Sequence, residues 1–200
     1  LHLSIRRQRQ MCIRDRLGIG LVFFFQAMLA LIQYQSSAEA LQQIVFWSMG
    51  SLTRANWAAN GVLAAVLIIA LPILWALGWR LTALRLGDAR ATAMGINTSR
   101  LRVVVLIVVS LVAATTVAFA GIIGFIGLVG PHIARMLVGE DQRYFLPASM
   151  AAGAAVMCAA HAVSLMIKPG LAIPIGIVTS LLGVPFFIAI VMTRRRALWT

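Results

Sequence analysis

Acidic side chains are scarce in this chain: its 200 residues include five Asp and Glu against 17 Lys and Arg, which gives a net charge of +12. Charged residues of both signs make up only 11% of the sequence, whereas globular proteins carry roughly 25%. The few charges lie between long apolar runs, and 62% of all residues are hydrophobic. This composition excludes an ordinary water-soluble domain and predicts an all-α, polytopic transmembrane helical bundle.

Several chemical signatures are also missing. The two cysteines, Cys12 and Cys158, give neither a disulfide framework nor a pair of metal ligands. No segment matches the phosphate-binding loop G-x-x-x-x-G-K-[ST], so any ATP hydrolysis must take place on another chain. The sequence has no H-E-x-x-H motif and no carboxylate cluster, so we expect no catalytic residue and no metal site.

The positive charge is distributed in short arginine clusters between apolar runs. This arrangement indicates membrane topology rather than a nucleic-acid partner. Residues 1–16 contain five of the arginines and have two interpretations, a cytosolic flank or a segment foreign to the native protein. We expect them to form a non-native or disordered basic flank ahead of a single transmembrane domain over residues 17–200.

A glycine-rich stretch stands at the centre of this domain. Gly121, Gly124, Gly127 and Gly130 lie three residues apart, and Pro131 follows directly. Small residues at helical spacing let another helix approach closely. A proline beside glycines marks a broken helix, which a membrane tolerates where protein or a water-filled cavity satisfies the freed backbone groups. We therefore predict a broken helix that lines a path, with these path residues: Gly124, Gly127, Gly130, Pro131, His132, Arg135 and His161.

The apolar runs predict six membrane spans. They cover residues 17–38, 55–79, 103–120, 122–138, 144–167 and 170–193. The charge-free region 103–134 is too long for one crossing. If it crosses twice, the polar loop 80–102 and the tail 194–196 share the cytosolic side, and only Arg54 and Lys168 of the 17 basic residues lie outside. Both termini of the chain are therefore predicted to be cytosolic.

Three smaller features have open interpretations. Residues 39–52 are too polar to span and predict a short interfacial helix. A charged turn comprises Glu140, Asp141, Arg143 and Pro147. It is either a solvated loop or a fixed end of the broken helix that touches a cytosolic partner. Arg54 and Lys168 are either interface anchors or docking contacts for acidic residues of an external protein.

Four motifs together resemble a known family. GFIGLVGPHIARMLVGEDQRYFLPAS (Gly124–Ser149) resembles the signature of the membrane permease subunits of ATP-binding-cassette (ABC) importers for iron–siderophore, haem and cobalamin. FWSMGSL (Phe46–Leu52), LGDARATAMGIN (Leu86–Asn97) and IPIGIVTSLLGVPFF (Ile173–Phe187) resemble further motifs of that family in the same order. The resemblance covers residues 17–196.

This resemblance implies an inner-membrane (bacterial plasma membrane) permease, with about ten spans in the full subunit and the last six in this chain. Two permease subunits, identical or different, would enclose the path for the chelate. Two ATPase subunits would bind ATP and Mg²⁺, and a periplasmic or lipid-anchored binding protein would deliver the substrate; this chain itself would bind no cofactor. The loop 80–102 matches the family's coupling loop. Its candidate contacts to the ATPase are Asp88, Ala89, Arg90, Ala93 and Gly95.

Some positions depart from the family pattern. The family often has an acid where His161 stands, an arginine where Leu165 stands and a glutamate where Ala172 stands. These differences leave the substrate and the outer docking chemistry open. Two other functions also remain open from the residues alone: an ion-coupled secondary transporter, and a membrane-embedded metal-dependent enzyme that uses His132 or His161.

Overall fold

The computed structural model describes residues 2–167 and 173–196, and the regular secondary structure in these ranges is helical, which confirms the predicted all-α fold. The helices are α1 (His2–Gln35), α2 (Ala38–Ser48), α3 (Trp57–Ala76), α4 (Gly78–Leu84), α5 (Asp88–Ala93), α6 (Thr98–Ala120), α7 (Ile126–Val138), α8 (Gln142–Ile167) and α9 (Ile175–Arg196). Lys168 and Ala172 lie outside the described residues.

The chain divides into two compact units, Leu1–Phe46 and Trp47–Thr200. In the first unit, α1 is continuous from His2 to Gln35. From Leu17 onward α1 is apolar, and none of its span is buried inside the structure. A helix of this kind is stable in a bilayer because lipid, rather than a protein core, solvates its side chains.

Among residues 2–167 and 173–196, four helices are long and apolar enough to cross a membrane: residues 17–35 of α1, and α3, α6 and α8. Two shorter apolar helices, α7 and the Ile175–Ile188 part of α9, complete the six predicted apolar segments. The 13 residues of α7 measure about 20 Å, less than the roughly 30 Å hydrocarbon thickness. The segment 121–125 that precedes α7 is not helical.

The helix breaks at residues 121–125, close to the boundary between the predicted spans 103–120 and 122–138. Pro131, which the sequence also assigned to the broken helix, lies inside α7. Gly121 and Phe125 have φ of +78° and +65°. Positive φ values end a right-handed helix, whereas an interior proline removes one backbone hydrogen bond and the helix can continue.

The charged turn is also shorter than predicted, because Pro147 lies inside α8 rather than in the turn. Asp141 starts that helix. Its carboxylate accepts a hydrogen bond from the Arg143 backbone N–H at 3.0 Å, and its carbonyl accepts from the N–H of Phe145 at 2.8 Å. A side-chain cap of this type begins a helix regardless of a proline one turn later.

The predicted coupling loop 80–102 contains most of α4, all of α5 and the beginning of α6. The Asn97 side chain accepts a hydrogen bond from the Arg100 N–H at 3.0 Å, so α6 begins at Thr98 and includes Arg100 and Arg102. A small apolar cluster of Ala83, Ala91, Ile96 and Leu101 packs the three helices together. This cluster makes the segment a folded element rather than a flexible connection.

Candidate functional site

The short helix α5 presents small residues at its surface. Ala91 is fully buried in the apolar cluster, whereas Ala89, Arg90 and Ala93 are exposed. Gly95 follows the helix with φ of +78°, and a Cβ built on it would meet no atom within 4 Å. Four of the five predicted coupling residues are therefore accessible to another protein.

Asp88, the fifth predicted coupling residue, has a different environment. Its two carboxylate oxygens accept hydrogen bonds from Arg102 Nη2 at 2.6 Å and from Arg102 Nη1 at 3.1 Å. Paired contacts of this kind between a guanidinium and a carboxylate fix geometry as well as charge. The pair joins the first residue of α5 to the beginning of α6. Sequence reasoning missed Arg102, although Asp88 is the one acid in a segment with five arginines.

The charged turn between α7 and α8 contacts the end of α4. Arg85 Nη2 lies 2.7 Å from Glu140 Oε2, and Arg85 Nη1 donates to the Glu140 carbonyl oxygen at 3.1 Å. Arg135 Nε lies 3.7 Å from Glu140 Oε1 on the other side. These side chains are exposed, so each pair stabilises the fold by no more than about 1 kcal/mol. They matter for position, because Glu140 links the turn between α7 and α8 to the coupling segment.

A second contact attaches the beginning of α8 to α4. Thr82 Oγ1 accepts a hydrogen bond from the Gln142 N–H at 3.1 Å and donates to the Gly78 carbonyl at 3.1 Å. Gly78 is buried against Arg143, whose Cγ would lie 3.7 Å from a Cβ at that position. The predicted turn is therefore attached to the coupling segment and is not a free solvated loop.

Helices α7 and α8 approach each other closely. A Cβ on Gly130 would lie 3.1 Å from Gly153 Cα and 3.1 Å from the Ser149 carbonyl oxygen. One turn on, the guanidinium carbon of Arg135 lies 5.8 Å from the centre of the Phe145 ring, within the range of a cation–π contact. Gly130 thus supports the close helix approach that the sequence predicted. Gly127 does not, since it is exposed and a Cβ there would meet nothing within 4 Å.

Three segments meet at the other end of α7, and we name this place the glycine junction: residues 49–51, residues 121–125 and residues 175–176. The Ser51 N–H donates to the Ala120 carbonyl at 2.8 Å. The N–H groups of Ile175 and Gly176 donate to the carbonyls of Gly50 and Met49 at 3.2 and 3.0 Å. These bonds satisfy backbone groups beside the break, as a membrane requires.

The junction depends on glycine because its backbones are nearly in contact. A Cβ on Gly121 would overlap the Trp47 carbonyl oxygen, and a Cβ on Gly176 would overlap the Met49 carbonyl oxygen. Gly50 has φ of +72°, and a Cβ there would lie 2.8 Å from the Ile122 carbonyl oxygen. Of these three, Gly121 belongs to the glycine-rich stretch, whereas Gly50 and Gly176 are distant from it in the chain and meet it on folding.

A groove of about 730 Å³ opens beside the glycine junction. Its walls are mostly apolar and come from the end of α2, the helix break and α9, with Gly124 and the hydroxyl-bearing Ser48 and Ser180 among them. Of the predicted path residues, Gly124 lines this groove, whereas His132 and His161 do not.

The two histidines have separate environments. The His132 ring, on α7, contacts the Phe186 ring of α9 edge to face, with the ring centres 5.6 Å apart. His161 is half-buried on α8. Within residues 2–167 and 173–196, no three His, Cys, Asp or Glu side chains are grouped as metal ligands would be. The structure therefore does not bring these histidines into a shared site.

Arg54, one of the two predicted docking residues, is exposed in the loop between α2 and α3. Its Nη2 lies 3.4 Å from the Trp47 carbonyl oxygen beside the glycine junction. A guanidinium can make several hydrogen bonds at once, so this contact leaves donors accessible to another protein. Lys168 lies outside the described residues.

Comparison with known proteins identifies relatives along most of the chain. The molybdate import system permease protein of Haemophilus influenzae is 36% identical over 190 residues, which are 94% of this chain and 56% of the relative. The hemin transport system permease protein of Yersinia pestis is 35% identical over 179 residues, 89% of this chain and 53% of the relative. The chain thus spans about half the length of these curated relatives.

A solved structure described as an inward-facing conformation of a metal-chelate type ABC transporter has the same fold, with a TM-score of 0.83 and 37% sequence identity. The match covers 88% of this chain and 57% of that chain. The model of the FecCD transport family matches residues 17–193, which include all four resembling motifs. On this evidence the chain belongs to the FecCD transport family.

Proposed function

We propose that this chain is part of a permease subunit of an ABC importer. Together with a second permease subunit it would form the path for an iron–siderophore chelate, or for a chelate of the haem or cobalamin type. Membership of the FecCD family supports the transport role. The observation that carries the proposal is the attachment of the exposed helix α5 to α6 and, through α4, to the α7–α8 turn.

In this proposal, α5 is the contact to the ATPase. When ATP binding brings two ATPase subunits together, the surface around Ala89, Arg90, Ala93 and Gly95 moves with them. The pair of Asp88 and Arg102 transfers that motion to α6. ATP and Mg²⁺ are bound by the ATPase subunits, and this chain supplies no cofactor site of its own.

The motion reaches α7 by a second connection. Arg85 and Thr82 hold the turn at Glu140 and the beginning of α8, so the end of α7 follows α4. Both α6 and α7 border the glycine junction at their other ends, where rigid shifts would change the shape of the neighbouring groove. Alternating access built on rigid helix movements around a broken helix has this form.

The orientation completes the proposal. The coupling segment and both termini would lie in the cytosol, as the distribution of arginine predicts. The loop with Arg54 and the segment with Lys168 would then face outward, where a periplasmic or lipid-anchored binding protein docks. Exposed charges of this kind steer docking more than they strengthen it.

The test is reconstitution of the complete permease. It would be co-purified with candidate ATPase subunits, and ATP hydrolysis would be measured in lipid with and without the external binding protein. We expect a stable complex whose hydrolysis rate rises with the binding protein. A folded, inserted permease that retains no ATPase would contradict the proposal and favour an ion-coupled transporter. Nothing in the described part of the chain supports the metal-dependent enzyme, since no group of metal-ligating side chains is found there.

A further inference from the structure

A second cavity, of about 550 Å³, lies beside the coupling segment and is separate from the groove at the glycine junction. Its walls come from the residues just after α3 and just before and within the first turns of α6. Five of the lining residues carry the argument: Trp79, Arg80, Met94, Gly95 and Arg100. Nothing in the proposed transport mechanism accounts for this cavity.

The position of the cavity fixes its depth in the membrane. Helices α3 and α6 are both long and apolar enough to cross the bilayer. The cavity lies where one of them ends, at Ala76, and the other begins, at Thr98. The ends of two adjacent spans on the same side meet the headgroup layer of one leaflet. Trp79, which is 46% exposed, is a residue type enriched at that level.

The charge of the cavity is of one sign. Arg80 and Arg100 line it, and no acidic residue does. Neither guanidinium has an ion-pair or hydrogen-bond partner among the described residues, whereas Arg85 and Arg102 in the same segment are paired with carboxylates. Two unpaired arginines in one cavity attract an anion, and the geometry of a guanidinium suits a phosphate.

We propose that this cavity binds the headgroup of an anionic phospholipid such as phosphatidylglycerol. Arg80 and Arg100 would hold the phosphate diester, and the exposed apolar surfaces of Trp79 and Met94 would contact the upper part of the acyl chains. Basic pockets between membrane helices are a recurrent site for such lipids. Because Gly95 lines the same cavity, the bound lipid lies against a predicted coupling residue. The proposal requires only that α3 and α6 cross the membrane, and not that the chain serves an importer.

The test is native mass spectrometry of the complete protein, released from detergent after titration with dioleoyl phosphatidylglycerol. Dioleoyl phosphatidylcholine, with the same acyl chains, and inorganic phosphate are the comparison probes. The variants are Arg80→Gln, Arg100→Gln and the double variant, and Arg90→Gln is the matched control because it removes an exposed arginine of the same segment that does not line the cavity.

We expect one phosphatidylglycerol to bind more tightly than phosphatidylcholine. An arginine near the membrane surface contributes about 1 kcal/mol to the attraction of anionic lipid, so each single variant should bind about fivefold more weakly and the double variant about 25-fold more weakly. The control should bind as the unmodified protein does. Thermal unfolding of each variant without added lipid, expected to be unchanged, shows that the fold is intact.

Three results would overturn the proposal. Equal losses in all three single variants would show a diffuse attraction to the basic surface rather than a site. Binding of inorganic phosphate with the same affinity as the lipid would make the site one for a free anion. Unchanged lipid binding in the double variant, together with loss of co-purified ATPase, would assign the two arginines to a protein contact instead.

Discussion

The close approach of α7 and α8 gives a sharp prediction for Gly130→Ala. The added methyl carbon would lie 3.1 Å from Gly153 Cα, from the Gly153 backbone nitrogen and from the Ser149 carbonyl oxygen. Carbon atoms in contact normally lie about 3.5–4.0 Å apart. The substitution therefore forces the two helices to separate by a few tenths of an ångström or more, and backbone atoms on α8 cannot rotate away as a flexible side chain would.

The size of the effect follows from two opposing contributions. Overpacking of a close contact costs about 1–3 kcal/mol. Replacement of Gly by Ala within a helix favours folding by about 1 kcal/mol. We therefore expect Gly130→Ala to lower the free energy of unfolding by up to about 2 kcal/mol. Gly153→Ala is the matched control, because its Cβ would lie 3.7 Å from Ile126 Cγ2, an ordinary contact, and the helix contribution alone remains.

The assay is equilibrium unfolding of the complete protein in mixed micelles with a denaturing detergent, followed by the helical circular dichroism signal. Both variants would first be shown to insert in the membrane at normal levels. Gly153→Ala should be unchanged or more stable by up to about 1 kcal/mol. If Gly153→Ala destabilises the protein as much as Gly130→Ala does, the inference that only Gly130 is in tight contact with the facing backbone is wrong.

Three further predictions concern the coupling segment. Gly95→Leu should abolish uptake into vesicles while ATP hydrolysis continues. Gly87→Leu, the control, has a similar positive φ and an equally open Cβ site and should keep uptake. Normal uptake by the Gly95→Leu variant would rule out the coupling role. Arg102→Gln should change the free energy of unfolding by less than about 1 kcal/mol because the ion pair is partly exposed. It should nevertheless lower the amount of substrate taken up per ATP hydrolysed several-fold. An unchanged uptake per ATP would show that the pair does not transmit motion. Asp141→Ala removes the cap of α8 and should lower the free energy of unfolding by about 1 kcal/mol in the same assay, more than Glu140→Ala does. The opposite order would show that the ion pairs, and not the cap, hold the turn.

Relatives with similar identity are named for hemin and for molybdate transport, which are chemically unlike. The groove at the glycine junction is mostly apolar and has few polar groups, such as the Ser48 and Ser180 hydroxyls, with which to distinguish ligands. In the proposed importer, an external binding protein would therefore select the substrate, and the groove would bind it only weakly.

Position along the chain explains which site features could be predicted. The broken region after Gly121 could be predicted because its glycine pattern is continuous in sequence. The coupling role of the residues around Gly95 comes from a continuous family motif and stays a prediction. The pairs Asp88–Arg102 and Arg85–Glu140 could not be predicted, because their members are 14 and 55 residues apart. A pattern within one helix carries no information about which distant charge will face it.

The sequence by itself determined the class of protein and the number of apolar segments. Both depend on the free energy of transferring each segment into lipid. This free energy is a sum over the roughly 20 residues of the segment, so the local composition determines it. Only the tertiary structure decided what each glycine does. Gly121 and Gly176 admit neighbouring backbone, Gly130 admits α8, and Gly127 faces open space. These four glycines are chemically identical, so their roles depend on distances of a few ångströms to other helices, which only the packed bundle fixes.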